Sequence, residues 1–131
     1  MNRMPLPIII DTNFLLIPAQ FGIDVFLEAE RLLERRVKYL ILKSVANEIR
    51  MKLDDKGFKI AAELAKQCKL IEVDTSMKGL SVDEQLLEYT ALVNGVLATN
   101  DRDLREKART RGIPVIFLRG KKRIALDGTL V

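Results

Sequence analysis

The chain has 131 residues, of which 48% are hydrophobic and 31% charged, and its formal net charge is +4. This balance is typical of a folded globular protein and excludes an intrinsically disordered chain. The length favours one domain with a sizeable core, spanning residues 1–131. No apolar run reaches membrane-spanning length, so we expect no membrane partner.

Histidine is absent, and cysteine occurs once, at Cys68. The absence of histidine excludes Ser-His and Cys-His nucleophiles, the usual general base and the usual nitrogen ligand of metals. A lone cysteine excludes an intramolecular disulfide and a cysteine zinc site, and it favours a cytoplasmic location. If the chain is an enzyme, oxygen-ligated Mg²⁺ or Mn²⁺ is the expected agent.

Five apolar runs alternate along the chain with segments of helical periodicity. The runs predict strands at 8–10, 39–42, 70–73, 96–98 and 115–118. Helices are predicted between them, with N-caps at Asp24, Ser44, Ser81 and Asp101. Strands that alternate with helices and are apolar throughout predict an α/β fold with a parallel sheet covered on both faces.

Four acids are expected at one edge of this sheet. Asp11 and Asp101 directly follow strands, while Glu48 and Asp83 lie near the starts of helices that begin at the same edge. Each has an ordinary structural explanation: an Asx turn at Asp11, an N-cap at Asp101, the helix dipole at Asp83, and an ion pair of Glu48 with Lys52. Together, four acids at one edge favour a hard cation.

Positive charge is concentrated at the C-terminal end. Residues 101–131 contain nine Lys or Arg and four acids, a net of +5, which leaves −1 for residues 1–100. A basic end beside an acidic centre suits a phosphate-rich polymer, although a solvated basic surface is the commoner explanation of charge alone.

The stretch 8–13, Ile-Ile-Ile-Asp-Thr-Asn, resembles the opening of a PIN domain, a small α/β nuclease domain of toxin–antitoxin systems and RNA processing. Glu48, Asp83, the stretch 98–104 and the apolar stretch 112–117 follow in the order typical of that family. Within the family, residues 14–22 resemble archaeal relatives of the ribosomal-RNA-processing PIN nucleases. The resemblance covers residues 7–118.

This resemblance implies a three-layer α/β/α PIN-like fold with strand order 3-2-1-4-5 and metal-dependent cleavage of RNA. It implies Asp11, Glu48, Asp83 and Asp101 as a catalytic tetrad, with Glu84 as the alternative to Asp83. Asp11 and Asp101 are the first candidates for direct ligation of Mg²⁺ or Mn²⁺. Glu48 and Asp83 are expected to bind through water or to complete a second ion, so that one ion and two both remain open, and Asp103 is an auxiliary acid of the metal site.

Candidate substrate contacts are polar residues beside the tetrad and basic residues after it, including the basic segment 119–131. They are Asn13, Thr99, Asn100, Arg102, Arg105, Arg119, Lys121, Lys122 and Arg123. The polar ones can form hydrogen bonds to the substrate or to the metal ligands, and the resemblance implies that Asn13 orients Asp11. Local turn capping is an equally good explanation for them. The expected partners are RNA, such as ribosomal precursor RNA, or an antitoxin protein, together with a second copy of the chain. A non-catalytic RNA-binding or ribosome-assembly module and a toxin ribonuclease remain the alternative functions.

Overall fold

Three consecutive isoleucines form the centre of the fold. Ile8, Ile9 and Ile10 are completely buried, although neighbouring residues of a strand point to opposite faces of the sheet. Helices must therefore cover both faces, as predicted from the continuous apolar strands. The computed structural model describes residues 4–130; the ends of the predicted domain, residues 1–3 and 131, lie outside the described residues.

Six strands and seven α-helices make up the described chain, with one short 3-10 helix at Thr75–Met77. The strands are β1 (Leu6–Ile10), β2 (Val37–Leu42), β3 (Lys69–Ile71), β4 (Val96–Ala98), β5 (Val115–Arg119) and β6 (Arg123–Asp127). The helices are α1 (Thr12–Leu15), α2 (Ile17–Phe21), α3 (Val25–Leu33), α4 (Lys43–Arg50), α5 (Lys56–Ala65), α6 (Val82–Leu92) and α7 (Arg102–Thr110).

The strand order is β3-β2-β1-β4-β5-β6. Strands β1 to β5 are parallel and in the predicted order 3-2-1-4-5, which is confirmed. The expectation of a purely parallel sheet was incomplete, because β6 pairs antiparallel with β5 through a tight turn at residues 120–122. The predicted basic segment 119–131 thus contains the turn and the second strand of a β-hairpin formed by β5 and β6. We define the tip of this hairpin as residues 119–123.

Strands β1 and β4 pair at the middle of the sheet, and the chain passes close to β1 just before β4 begins. A Cβ added to Gly95 would stand 2.7 Å from the carbonyl oxygen of Pro7 and 2.8 Å from the Ile9 side chain. Beyond the strands, the Asp11 backbone N–H still donates to the Ala98 carbonyl at 2.9 Å. The two central strands therefore end side by side, and the residues that follow them are held together.

Helix starts follow the predicted caps at three of four positions. Asp24, Asp101 and Ser81 accept backbone N–H bonds at the starts of α3, α7 and α6, and Ser81 does so within a complete capping box. The predicted cap at Ser44 was wrong, because α4 begins at Lys43 and its N-cap is Leu42. The Ser44 hydroxyl instead donates to Gln85 Oε1 at 2.7 Å. Within residues 4–130, no helix is both long and apolar enough to cross a membrane.

Candidate active site

A cleft of about 230 Å³ opens at the edge of the sheet where β1 and β4 end. All four acids of the predicted tetrad line it: Asp11, Glu48, Asp83 and Asp101. They come from four different elements, since Asp11 follows β1, Glu48 lies on α4, Asp83 on α6, and Asp101 caps α7. The fold thus brings together acids up to 90 residues apart in sequence.

Asp11 is the buried member of the group, with only 7% of its surface exposed. Its Oδ1 accepts the backbone N–H of Thr12, and its Oδ2 accepts the hydroxyl of Thr99, each at 2.8 Å. Burial raises the pKa of the Asp11 carboxyl to about 6. The two hydrogen bonds oppose that rise in pKa, and the negative charges of Asp83 and Glu48 add to it.

Thr99 joins Asp11 to Asp101. The Thr99 side chain is completely buried, and while its hydroxyl donates to Asp11 it accepts the backbone N–H of Asp101 at 3.1 Å. Asp101 caps α7 through Oδ1, which accepts the N–H groups of Asp103 and Leu104. Within the described chain, its Oδ2 accepts no hydrogen bond. One oxygen of Asp101 therefore serves the helix, and the other remains available to a ligand.

Thr12 joins Asp11 to Glu48 in a similar way. Its backbone N–H donates to Asp11, and its hydroxyl donates to Glu48 Oε1 at 2.9 Å. The ion pair of Glu48 with Lys52, the ordinary explanation for this acid, does not form; the Lys52 ammonium lies over the ring of Phe58 instead. Glu48 is thus tied to the cleft and not to its own helix.

Asp83 is half-buried in the first turn of α6. Burial and the negative charge of Asp101 raise its pKa, and the ammonium of Lys107 opposes that rise. The alternative residue, Glu84, completes the capping box with Ser81 and does not line the cleft. The structure therefore places Asp83, and not Glu84, beside the other acids.

None of the four acids forms an ion pair with a lysine or arginine among the residues that the structure describes. Unpaired carboxylates in one cleft repel each other, and their oxygens are the donors that hard divalent cations prefer. The described residues include no group of three or more acids arranged to hold a metal ion. The carboxylates of the cleft supply only oxygen donors, which are the ligands that Mg²⁺ takes alongside several waters.

Comparison with known proteins identifies the fold. Residues 8–121 match a family model described as a PIN-like domain. The chain belongs to the PIN-like domain family. The predicted resemblance to PIN nucleases is thereby confirmed.

Two archaeal proteins named as ribonucleases are similar in sequence to this chain. The chain is 32% identical over 130 residues to Ribonuclease VapC4 of Methanocaldococcus jannaschii, covering 92% of this chain and 96% of that protein. It is 35% identical over 96 residues to Ribonuclease VapC9 of Archaeoglobus fulgidus, covering 69% and 67%. The structure is also similar to that of the PIN domain endonuclease Utp24, with a TM-score of 0.79, 25% identity and coverage of 96% and 94%.

Not all residues that the PIN resemblance singled out meet in the cleft. Asp103 lies in the exposed first turn of α7, and the structure does not bring it into the cleft. Asn13 lines the cleft, and its Oδ1 accepts the backbone N–H of Asn100 at 2.8 Å. Thr99 is too deeply buried to touch a substrate and positions Asp11 instead.

The predicted basic contacts fall into two groups. Arg105 has partners inside the fold, since its guanidinium lies 3.9 Å from the centre of the Phe117 ring and 3.8 Å from the Asp127 carboxylate. Arg102 and the four basic residues of the hairpin tip form no ion pair with any described carboxylate; the tip residues are Arg119, Lys121, Lys122 and Arg123. Because β5 is parallel to β1, the tip lies at the same edge of the PIN sheet as the acids.

Three features of the PIN cleft were missed from the sequence. Thr12 was noted only as part of the stretch 8–13. Because it directly follows Asp11, a hydrogen bond from its side chain to another acid of the cleft could have been predicted. Phe58 lines the cleft because α5 packs near α1 and α2, and Lys52 lines it from the turn between α4 and α5. That packing depends on contacts between distant segments and leaves no local pattern in the sequence.

Proposed function

We propose that the protein is a Mg²⁺- or Mn²⁺-dependent ribonuclease that hydrolyses phosphodiester bonds of RNA at the acidic cleft. The observation that carries this proposal is the convergence of Asp11, Glu48, Asp83 and Asp101 on one cleft without a lysine or arginine partner. Membership of the PIN-like domain family and relatives named as ribonucleases support it.

Asp11 and the free oxygen of Asp101 are the residues that would hold the cation directly, with Glu48 and Asp83 acting through its water ligands. When bound, a divalent cation makes water a better nucleophile and stabilises negative charge on the phosphate and leaving oxygen. The chain itself fixes the ligands: Thr99 orients Asp11 and supports the loop of Asp101, and Thr12 orients Glu48. Such supporting contacts determine how well a metal site is organised.

The hairpin tip would hold the RNA strand on one side of the cleft. Its four basic side chains are exposed and free of ion pairs to described acids. Exposed basic side chains bind the phosphate groups of nucleic acids, and the resulting affinity falls steeply as the salt concentration rises. We propose that Arg119, Lys121, Lys122 and Arg123 bind phosphates that flank the scissile bond.

Cleavage of a labelled single-stranded RNA tests the proposal. Wild type should cut in Mn²⁺ and stop in EDTA, and Asp11→Asn should cut at least about a hundredfold more slowly, because it removes the buried ligand. Asp54→Asn is the matched control, because Asp54 is exposed and lies outside the cleft. Undiminished cleavage in EDTA would refute the metal mechanism. No cleavage of any RNA in Mn²⁺ would favour the non-catalytic RNA-binding module.

A second candidate is the toxin ribonuclease of a toxin–antitoxin pair. It is favoured by the two archaeal relatives, both named VapC. The chemistry would be the same, but the partner would be an antitoxin protein. A toxin should arrest growth when expressed alone, Asp11→Asn should not, and the product of a neighbouring gene should restore growth. Cleavage confined to ribosomal precursor RNA, without growth arrest, would favour RNA processing.

A further inference from the structure

Phe58 differs from the other aromatic residues of the chain. The sequence contains five phenylalanines and two tyrosines. Phe14, Phe26 and Phe117 are in the hydrophobic core, and Phe21, Tyr39 and Tyr89 pack against it. Phe58 is half-buried and belongs to neither group. Its ring is therefore the one aromatic side chain of this protein whose position core packing does not explain.

The ring of Phe58 lies on the wall of the acidic cleft. Leu16, Lys52 and Phe58 line the same cavity as the four acids. Phe58 is fixed there by the start of α5, where the Asp55 carboxylate accepts the N–H groups of Gly57 and Phe58 at 2.8 and 3.3 Å. The start of α5 lies within van der Waals contact of Leu16, because a Cβ on Gly57 would stand 3.7 Å from that side chain. An apolar, anchored surface thus borders the carboxylates.

Lys52 places a positive charge beside the Phe58 ring. Its ammonium lies 5.2 Å from the centre of the Phe58 ring, a distance at which a cation is attracted to an aromatic face. Lys52 makes no ion pair with any of the described acids, although Glu48 is four residues before it. Its long, exposed side chain can therefore turn from the ring to a phosphate without breaking an ion pair.

We propose that Phe58 and Lys52 form a nucleotide subsite, in which an unpaired base of the RNA stacks on the Phe58 ring and Lys52 binds a neighbouring phosphate. The inference deepens the proposed function and rests on it. An aromatic face offers stacking to any base, so the subsite selects for strands whose bases are free and not for a sequence. It places the bound base in the cleft that holds the carboxylates, on the wall that Leu16 completes.

Binding of short RNA tests the subsite. The affinity of a fluorescent single-stranded RNA is measured in Mg²⁺ by anisotropy, in the Asp11→Asn background to prevent cleavage. Adding Phe58→Ala or Phe58→Leu should weaken binding about tenfold, whereas Phe58→Tyr should retain it, because only an aromatic ring stacks. Ile60→Ala is the matched control, as Ile60 is an exposed apolar residue of the same helix outside the cleft. Thermal melts establish that each variant is folded.

A set of RNAs, each with one abasic nucleotide, identifies the base. Removing the base at one position should lower the affinity of the RNA for the protein that retains Phe58. The same RNA should bind Phe58→Ala no more weakly than the intact RNA does. Lys52→Ala should reduce affinity for all these RNAs and lower the salt slope by roughly 0.7, while the matched Lys59→Ala should not.

Three results would overturn the subsite. If Phe58→Ala binds RNA as tightly as Ile60→Ala does, stacking on Phe58 is excluded. The proposed ribonuclease function would be unaffected by that result. An equal loss for RNA without any bases would show that Phe58 only shapes the cleft. Failure of every variant, and of wild type, to bind RNA would overturn the proposed function and the subsite together.

Discussion

In the cleft where β1 and β4 end, the acids range from buried Asp11 to exposed Glu48, and threonine hydroxyls or backbone N–H groups hold Asp11, Glu48 and Asp101. At the hairpin tip the basic side chains are exposed, and Arg119 lies 5.6 Å from the centre of the Phe117 ring. Both regions lie at the same edge of the sheet. Neither region pairs its charges with described residues of opposite sign.

The fold does pair charges elsewhere. At the end of β6, the carboxylate of Asp127 lies 3.8 Å from the guanidinium groups of Arg105 and Arg109 on α7. Single unpaired charges also occur elsewhere on the surface, so what distinguishes the two regions is clustering of one sign: four acids line the cleft and four basic residues form the tip. They are arranged for partners from outside the chain, which we propose to be a cation in the cleft and RNA phosphates at the tip.

Removing the support of the cleft should have the largest effect. Thr99→Val keeps the shape of the side chain but removes the donor to Asp11 and the acceptor for the Asp101 N–H. We expect Mn²⁺ affinity and RNA cleavage to fall about 10- to 100-fold, the usual effect of losing a contact that orients a metal ligand. The measurements are Mn²⁺ titration calorimetry and cleavage rates.

Thr90→Val is the matched control. Thr90 is also completely buried, but its hydroxyl donates to the Leu86 carbonyl within α6, away from the cleft. Equal losses of Mn²⁺ affinity in both variants would mean that Thr99 matters only for stability and has no special role at the site.

The buried charge of the cleft should also appear in the pH dependence of stability. The pKa of Asp11 in the folded protein is about 6, above its ordinary value of 3.8. Between these values the folded state binds more protons than the unfolded state, so metal-free protein should lose stability as the pH rises from about 4 to about 6. The loss attributable to Asp11 should reach about 3 kcal/mol at most.

Urea unfolding in EDTA at pH 4.5 and pH 7 measures this loss. Asp11→Asn has no carboxyl to titrate at this position. The decrease in its unfolding free energy from pH 4.5 to pH 7 should therefore be smaller than in wild type. Asp54→Asn, with its exposed side chain, should behave as wild type. An identical pH dependence in Asp11→Asn and wild type would show that Asp11 titrates normally.

Charge at the hairpin tip should affect only the affinity for RNA. Replacing Lys121 and Lys122 with glutamine should weaken binding and lower the salt slope by roughly 1.4, because two fewer counterions are displaced from a single strand. Mn²⁺ affinity should be unchanged. The matched control replaces Arg35 and Lys38, two exposed basic residues near the start of β2 at the opposite edge of the sheet. Equal salt slopes for the two double variants would mean that the tip does not touch phosphate.

Most of the fold could be predicted because its parallel strands are apolar throughout. The run 96–98 was predicted with its true bounds, since each of its residues is buried. β6 could not be predicted in this way, because it follows the basic turn directly and carries charged residues at both ends, Arg123 and Asp127. Its strand character comes from pairing with β5, which no local pattern records.

The site was predictable to the extent that topology alone determines it. Asp11 and Asp101 follow neighbouring parallel strands, so they meet at one edge whatever the side chains between them do. Contacts that depend on packing were not predictable. Asn13 was expected to contact the substrate or to orient Asp11, but its Oδ1 accepts the backbone N–H of Asn100. Arg105 was expected at phosphate, but its guanidinium lies against the Phe117 ring.

The central claim is that the cleft binds a divalent cation through Asp101 as well as Asp11. Thermal melts of wild type and Asp101→Asn in EDTA and in Mn²⁺ test it most directly. Asparagine keeps the cap of α7 and removes a charge that opposes ionisation of Asp83, so the metal-free variant should be as stable as wild type or more stable by up to about 1 kcal/mol. It should also lose most of the stabilisation that Mn²⁺ gives wild type, because a ligand stabilises a protein only as far as it binds the folded state. An undiminished Mn²⁺ shift in Asp101→Asn would contradict the account and leave Asp101 as a helix cap.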